Sequence, residues 1–309
     1  MSLVTDAMVE ARAEHREMVR STARRNYRRR SFYSGMFYAA VTVALGIAFI
    51  PLSAIVYNVL KRGLPYISWS FLTTPEMDPP DIFHPHQIGG ISNAIVGTIL
   101  IDGLALLIAV PISVILAVAL FESRGRTMSI LRSYVEIMVG LPSILLGVFI
   151  YAFFVVPLGF KYCAMAGVLA IAIMMVPLMT VAGEAALRDV PATLSEAALA
   201  LGARPSRVMW RVVLPFALPR VMTGILLSLG RAVGETAPIL FIIGSNYAVN
   251  WNPFGQVTAM PTLIYKYQQS SYDYQREACW GIALVLIVAI FTLNVISRFL
   301  AARSEKGRK

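Results

Sequence analysis

The stretch ALRDVPATLSEAALALGARPSRVMWRVVLPFALPR, residues 186–220, separates two strongly apolar segments and carries more structural signals than a simple connector needs. Pro191 can begin a short helix, and Gly202 can end it in the left-handed conformation. Pro205 stands where a second helix would begin. The pattern therefore predicts a helix-turn-helix that lies against the cytoplasmic face of a membrane.

The first of these two helices has a surface suited to contact. Ala197 and Ala198 leave it flat, while Leu194, Leu199 and Leu201 offer apolar side chains. Such a surface fits the docking of another protein, and it also fits a helix lying on the bilayer. The pattern alone leaves both interpretations open.

The spacing within the stretch resembles the EAA signature of ABC importer permeases. It consists of Glu196-Ala197-Ala198, three residues, Gly202, nine residues, Val212 (where Ile is common), one residue, and Leu214-Pro215. The resemblance implies that residues near 191 to 211 form a coupling helix within an EAA loop at about 186–216. In that family the coupling helix sits in a cleft of a separate ATPase subunit and converts its closure into rotation of the membrane helices.

Outside this loop the chain has the composition of a membrane protein. Of its 309 residues 57% are hydrophobic and 14% charged, and the mean hydropathy is +0.68. A helix needs about 20 apolar residues to cross a bilayer, and six segments are that long: 34–60, 94–120, 134–157, 163–182, 217–243 and 278–300. We expect an all-α integral membrane protein with six transmembrane helices. They form one domain at 34–300, between basic tails at 1–33 and 301–309.

Proline residues interrupt these segments. One lies inside each of the first five: Pro51, Pro111, Pro142, Pro177 and Pro238. Each removes a backbone hydrogen bond and can bend its helix, although membrane helices also tolerate proline without a functional role.

Basic residues are distributed unevenly along the chain. Most of the 27 Lys and Arg residues lie in the N-terminal tail, the second and fourth loops, and the C-terminal end. Because positive residues stay on the cytoplasmic side, both termini are expected there, and the Arg-rich run at 20–30 is an orientation signal that also contacts anionic lipid. The net charge of +10 therefore has an explanation in the bilayer, and no soluble basic face with stacking aromatics indicates a nucleic-acid partner.

The sequence has no phosphate-binding loop of its own. Such a loop needs Gly-Lys followed by Ser or Thr, and no Gly-Lys pair exists among the five lysines of the chain. If the protein belongs to a primary transporter, a partner subunit hydrolyses the ATP and no cofactor is bound directly.

Two opposite charges, Arg231 and Glu235, fall inside the fifth apolar segment. An ionised side chain within a bilayer costs several kcal/mol or more unless it is paired or faces a wet cavity. Four residues apart on a helix, the two side chains share a face and can neutralise each other. The pair can serve a transport pathway, or it can be a purely structural ion pair that fixes helix packing.

Three further stretches resemble the permeases of the phosphate-specific importer, and the PstA type more than the PstC type: RAVGETAPILF (231–241), NAIVGT (93–98) and GLPSILLGVF (140–149). The resemblance covers about residues 36 to 300 and implies the type I importer permease fold in a bacterial cytoplasmic membrane. It implies four kinds of partner: a PstC-type permease, two PstB-type ATPases, an external phosphate-binding protein and phosphate itself. The alternatives are a PstC-type subunit or a permease for molybdate or sulfate.

On this basis we expect the substrate pathway to include Arg231, Glu235, Thr236 and Asp102. Arg231 would offer a forked donor to phosphate oxygens, and Glu235 would hold it between transport events. Glu235 would also accept a hydrogen bond from a protonated phosphate, which sulfate cannot donate. Thr236 could add a hydroxyl, and Asp102 could pair with an Arg of this chain or of the neighbouring permease. Glu136 and Glu184 lie near cytoplasmic helix ends, where interfacial solvation explains them.

Other classes of function have weaker support. A secondary transporter would carry protons on buried carboxylates, but no clear inverted repeat is present. A membrane enzyme would need a Ser/His/Asp set or a metal cluster, and all three histidines lie in the tail or in one outer loop. In that loop Asp81, His84 and His86 do not have the spacing of a closed metal site, so no metal is expected. The Tyr-rich stretch 265–280 suits either a membrane interface or contact with a binding protein.

Overall fold

The computed structural model of the chain describes residues 2–77, 89–123, 125–159 and 161–306, with side chains from residue 33 to residue 299. All regular elements in these ranges are helical, and a single isolated bridge joins Glu76 to Gly89. The outer-loop candidates Asp81, His84 and His86 lie outside the described residues.

Eleven α-helices follow one another along the described chain: α1 (Ser2–Gly63), α2 (Trp69–Thr73), α3 (Ser92–Glu122), α4 (Arg126–Val139), α5 (Ser143–Ile150), α6 (Ala164–Arg188), α7 (Ala192–Ala200), α8 (Pro205–Val208), α9 (Leu214–Ala232), α10 (Met260–Gln268) and α11 (Asp273–Lys306). A 3₁₀ turn at Leu64–Tyr66 follows α1, and π-helical turns at Tyr151–Val155 and Met209–Val213 extend α5 and α8. Residues 1–58 and 59–309 form separate compact units, and the second contains α2 to α11.

Among the described residues, five segments are long and apolar enough to cross a membrane: Tyr33–Tyr66, Ser92–Glu122, Ala164–Arg188, Pro205–Ala232 and Asp273–Phe299. A sixth arises if α4 and the α5 segment, which are bent by 101° relative to each other, count as one span. The predicted all-helical class with several apolar spans is confirmed. The first, second, fourth and sixth predicted spans coincide with long helices.

The predicted third span, 134–157, is broken. Helix α4 ends at Val139, and α5 begins after Pro142, whose own backbone is extended. Proline lacks the N–H that a continuing helix would need, and it disfavours the helical conformation in the residue before it. Pro142 was expected inside a helix; it marks a sharp bend between two helices instead.

The predicted fifth span, 217–243, is also wrong in its limits. The helical segment begins earlier, at Pro205, and α9 ends at Ala232, so that Pro238 lies beyond it. Residues 233–243 form turns whose side chains Ile239, Ile242 and Ile243 are buried in the protein core. A short apolar run indicates burial as readily as it indicates a membrane helix, and here burial is the cause.

Helix α6 is the centre of the fold. It packs against α3, α9, α4 and α5, and small residues allow the close approach. A Cβ atom added at Gly183 would lie 3.0 Å from the Ala117 Cβ of α3. One added at Gly224 of α9 would lie 2.6 Å from the Ala182 Cβ of α6. These contacts hold α3, which carries Asp102, and α9, which carries Arg231, against one central helix.

Candidate functional site

Arg231 and Glu235 meet at the end of α9. The Arg231 Nε lies 3.3 Å from the Glu235 Oε1, which confirms the predicted ion pair. The pair was predicted to lie in the middle of the fifth span, and this is wrong, because α9 ends between the two residues. The chain continues to turn after Ala232, with the Glu235 N–H donating to the Ala232 carbonyl at 2.9 Å, so the side chains still share one face.

The two side chains differ in exposure. The Arg231 side chain is 54% exposed, whereas that of Glu235 is 19% exposed. Arg231 also lies in the last turn of α9, where the helix carbonyls favour a positive charge. Within the described residues only Nε of the guanidinium has a hydrogen-bond partner, so both Nη groups are available to a ligand.

Helix α5 holds the segment after Glu235 in place. A Cβ atom at Gly147 would lie 2.3 Å from the carbonyl oxygen of Pro238, so only glycine permits this contact. Two of the stretches quoted above, GLPSILLGVF and RAVGETAPILF, therefore pack directly on each other. Beside the contact lies an apolar cavity of about 230 Å³ between α5 and residues 237–242.

The third quoted stretch, NAIVGT, fixes the segment that leads into α10. A Cβ atom at Gly97 would lie 2.0 Å from the Thr258 carbonyl oxygen. The Thr98 hydroxyl accepts a hydrogen bond from the Met260 N–H at 2.9 Å. The Asn93 side-chain amide donates to the Asn246 carbonyl at 2.8 Å. The start of α3 thus positions the loop that follows the Arg231–Glu235 pair.

Asp102 is buried in α3, three turns from the start of the helix. Its carboxylate makes no ion pair or hydrogen bond with another described residue, so the predicted Arg partner is not found in the described part of this chain. Thr236 is half-buried, and its carbonyl accepts from the Leu240 N–H at 3.0 Å. The structure brings Arg231 and Glu235 together and does not join Asp102 to them by an ion pair.

The predicted helix-turn-helix of the EAA loop is confirmed. Helix α7 begins after Pro191, and α8 begins at Pro205. Gly202 has a φ of +79° and donates from its N–H to the Leu199 carbonyl, while the Ala203 N–H donates to the Ala198 carbonyl. This pair of bonds is the Schellman motif, which satisfies the last carbonyls of a helix with glycine in the left-handed conformation.

Most of the surface of α7 is exposed. The helix has no buried residue, and the Leu201 side chain beyond it is 89% exposed. Glu196 and Ala197 are exposed, whereas Ala198 is half-buried and packs on the core. Leu214 is half-buried as the first residue of α9, and Pro215 follows it at the surface.

A charged cluster between α4 and the end of α6 differs from expectation. Interfacial solvation does not explain Glu184, because its side chain is only 10% exposed and pairs with Arg132 and Arg188. The spacing of Glu184 and Arg188 by four residues on a helix was a readable signal. Nothing in the sequence indicates Arg132, which is 52 residues away.

A second unexpected cluster joins α10 to the segment that precedes α3. The Lys266 Nζ of α10 lies 2.8 Å from the Glu76 Oε1, and the Glu76 side chain is buried. The Glu76 N–H donates to the Asn93 side-chain oxygen at 3.1 Å. Burial first, and the neighbouring Glu76 carboxylate second, raise the pKa of the Tyr267 hydroxyl well above its usual value. This cluster fixes α10 against the start of α3.

Comparisons with known proteins agree with this architecture. A model of the family "Binding-protein-dependent transport system inner membrane component" matches residues 109–309. The phosphate transport system permease protein PstA 1 of Mycobacterium tuberculosis (strain ATCC 25618 / H37Rv) is 34% identical over 275 residues, which cover 87% of each chain. A probable phosphate transport system permease protein PstA of Methanocaldococcus jannaschii is 34% identical over 82% of this chain and 88% of its own.

Solved structures show the same fold. An inward-facing MetNI methionine ABC transporter matches with a TM-score of 0.55 and 19% identity, over 69% of this chain and 93% of that chain. A bacterial ABC transporter involved in the import of the acidic polysaccharide alginate matches with a TM-score of 0.58 and 17% identity, over 89% of this chain and 97% of that one. At these identities the likeness establishes the fold alone.

Proposed function

The chain belongs to the family of binding-protein-dependent transport system inner membrane components, and on this premise we propose that it is a PstA-type permease subunit of an ATP-driven phosphate importer. The observation that carries the proposal is its similarity, over most of the chain, to phosphate transport permeases of two distant organisms. The protein is a multi-pass membrane subunit without catalytic chemistry of its own.

The proposed assembly contains one PstC-type permease, two PstB-type ATPases and an external phosphate-binding protein. In it the present chain crosses the bacterial inner membrane six times, counting the bent α4–α5 pair as one span, with both termini cytoplasmic. The excess of Lys and Arg in the tails and even-numbered loops supports this orientation. ATP is bound and hydrolysed by the partner ATPases.

The EAA loop is the proposed contact with an ATPase. Its exposed surface carries Glu196, Ala197 and the side chain of Leu201, and the Gly202 turn holds α7 at a fixed angle to α8. A preformed apolar patch with small residues allows close approach of a partner at low ordering cost. Closure of the ATPases would then shift the two permeases between inward-open and outward-open states.

The Arg231–Glu235 pair is the proposed anion contact of the pathway. Glu235 holds the Nε side of the guanidinium and leaves both Nη groups for two phosphate oxygens, which is the forked geometry that arginine offers to oxyanions. A partly buried carboxylate beside it accepts a proton-bearing oxygen of phosphate and repels fully ionised sulfate. Thr236 adds a hydroxyl close to the pair.

Asp102 is the proposed contact with the second permease. A buried carboxylate within a membrane helix needs a partner or a wet cavity, and the described part of this chain supplies no partner. An arginine of the PstC-type permease would supply the missing charge.

Purification of the tagged chain from its own membranes tests the assembly. We expect an ATPase and a second permease to co-purify, and the reconstituted complex to take up phosphate only with ATP and the external binding protein present. Uptake of sulfate or molybdate in place of phosphate would show that phosphate is not the transported ion. If the chain ran alone and a proton gradient drove phosphate uptake without ATP, the importer itself would be contradicted.

A further inference from the structure

Helices α4 and α6 meet at the buried carboxylate of Glu184, and Arg132 connects them to α3. The Glu184 Oε1 accepts from the Arg132 Nη2 at 2.5 Å, the Arg188 Nη2 at 2.7 Å and the Arg188 Nε at 3.1 Å. Arg188 lies one turn further along α6, whereas Arg132 belongs to α4. The same Arg132 Nη2 also donates to the Leu120 carbonyl at the end of α3, at 3.0 Å. One guanidinium therefore joins the cytoplasmic parts of α3, α4 and α6.

Helix α4 depends on this guanidinium because its apolar packing is slight. Val135 is its only buried residue, while Ile130, Tyr134 and Ile137 are exposed. The helix is also the part of the chain that ends at the 101° bend before α5. A helix with one buried side chain and a sharp bend at its end can change position at low cost, so the ion pair decides where it stays.

The cluster lies next to the start of the EAA loop. Helix α6 ends at Arg188, and the following residue, Asp189, pairs with Arg220 of α9 through an Nη1–Oδ2 distance of 2.9 Å. Helix α7 begins three residues later, at Ala192. Any displacement of α7 therefore acts first on the end of α6, where Arg132 and Arg220 connect it to α4 and α9.

We propose that the cluster of Arg132, Glu184 and Arg188 is the junction that transmits movement of the EAA loop to α3 and α4. It rests on the proposed function, since the movement comes from a partner ATPase. Arg132 and Glu184 are positioning residues: they touch neither phosphate nor nucleotide. Directional charge-assisted hydrogen bonds keep α4 in register with α6, and an apolar contact would permit sliding.

The test uses the assembled complex in proteoliposomes, with Arg132→Gln and Arg126→Gln as a matched pair. Both residues lie on α4, but Arg126 is exposed and makes no ion pair with a described residue. We expect Arg132→Gln to lower phosphate uptake per ATP hydrolysed by about tenfold, with the ATPase rate within about twofold of the parent, because the coupling between sites is lost while each site stays intact. Arg132→Lys should restore part of the ratio, and Arg126→Gln should leave it unchanged.

A second readout does not depend on the transported ion. Ile137→Cys places an exposed thiol on α4, and its labelling by a maleimide is compared between nucleotide-free and vanadate-trapped complexes. We expect the labelling rate to change with nucleotide state in the parent and to stop changing when Arg132→Gln is added. If the importer moves a different anion, this readout still reports on the junction.

Two results would contradict the proposal that this cluster transmits movement from the EAA loop. One is an unchanged uptake-to-ATP ratio in Arg132→Gln, and the other is a labelling change at residue 137 that persists in that variant. If Arg132→Gln fails to assemble, Glu184→Gln replaces it in both measurements, since the amide keeps the size of the side chain but removes the charge that binds Arg132 and Arg188. An unchanged ratio and a persistent labelling change in Glu184→Gln would then have the same meaning.

Discussion

Arg231 has one nitrogen bound to Glu235 and two nitrogens directed elsewhere, and this asymmetry predicts what its replacement does. We expect Arg231→Gln to lower phosphate uptake by the assembled complex at least about tenfold, because an amide cannot give two parallel charged donors to phosphate. Arg231→Lys should retain part of the activity as a point charge. If an assembled Arg231→Gln complex took up phosphate at the parent rate, the ion pair would have only a structural role in helix packing.

Glu235 is expected to govern selectivity. Glu235→Gln removes the charge that repels sulfate, so the preference for phosphate over sulfate in competition uptake should fall by about tenfold. The exposed carboxylate of Glu136 on α4 provides the control, since Glu136→Gln should leave the preference unchanged. Unaltered phosphate uptake together with unaltered selectivity in Glu235→Gln would contradict the assignment.

Tyr267 should make the folded protein less stable at alkaline pH. Its buried hydroxyl keeps its proton above the ordinary pKa of 10.0, so the folded protein binds this proton more tightly than the unfolded chain does. The resulting stability is fully present below that value and is lost as pH rises above it. Above pH 10 the parent should lose about 1.4 kcal/mol more per pH unit than Tyr267→Phe in detergent unfolding. Parallel stability curves for the two proteins would contradict this.

Local spacing decides which side-chain contacts are visible in the sequence. Arg231 and Glu235 are four residues apart, and helical geometry predicted their contact even though the helix ends between them. Lys266 and Glu76 are separated by 190 residues, and only the packing of α10 against α3 brings them together. A pairing of that kind needs the tertiary fold, so sequence reasoning could not find it.

At the scale of the helices, α3 contains two glycines with opposite surroundings. A Cβ atom at Gly97 would collide with the Thr258 carbonyl at 2.0 Å, whereas one at Gly103 would meet nothing within 4 Å. We expect Gly97→Ala to destabilise the protein by about 2 kcal/mol or more through overpacking. Gly103→Ala should be neutral or slightly stabilising, because alanine favours a helix. Equal unfolding temperatures for both variants in detergent would show that the 258–260 segment adjusts freely.

Because the end of α7 is exposed, a substitution there should weaken binding of the ATPase without affecting the stability of the fold. Leu201→Glu should leave the unfolding temperature unchanged, because the side chain is almost fully exposed. The same change should reduce co-purification of the ATPase by about tenfold, since a charge enters a desolvated contact. Ser123→Glu, at an exposed position in another predicted cytoplasmic loop, is the control. Normal ATPase recovery with Leu201→Glu would place the contact elsewhere.

The ends of helices could be predicted from the sequence where a proline or a glycine determines them. Pro191, Gly202 and Pro205 have conformations that permit few alternatives, and the predicted helix-turn-helix was confirmed at all three. Apolar length was a poorer guide, because 233–243 is apolar for burial in the protein and Pro142 stops a helix that hydrophobicity alone would continue. The first error arises because lipid and protein interior favour the same side chains, and the second arises because the backbone of proline, which hydropathy does not describe, ends the helix.

For the molecule as a whole, composition predicted a helical membrane protein, and the EAA spacing predicted its family. Neither could predict the arrangement of helices around α6, since every span is apolar and hydropathy does not distinguish a central helix from a peripheral one. The central helix is distinguished by the size of its side chains, since the buried face of α6 is rich in alanine and glycine. Small residues were visible in the sequence, but their neighbours were not.

This central packing has an evolutionary consequence. We expect a relative such as PstA 1 of Mycobacterium tuberculosis, which is 34% identical to this chain, to keep small residues where α3 and α9 pack against α6. A Cβ atom at Gly183 or Gly224 would lie 3.0 or 2.6 Å from an alanine Cβ atom of the neighbouring helix, so glycine should persist there unless the facing alanine is itself replaced by glycine. Lipid-facing positions have no such limit and should accumulate most of the differences between relatives.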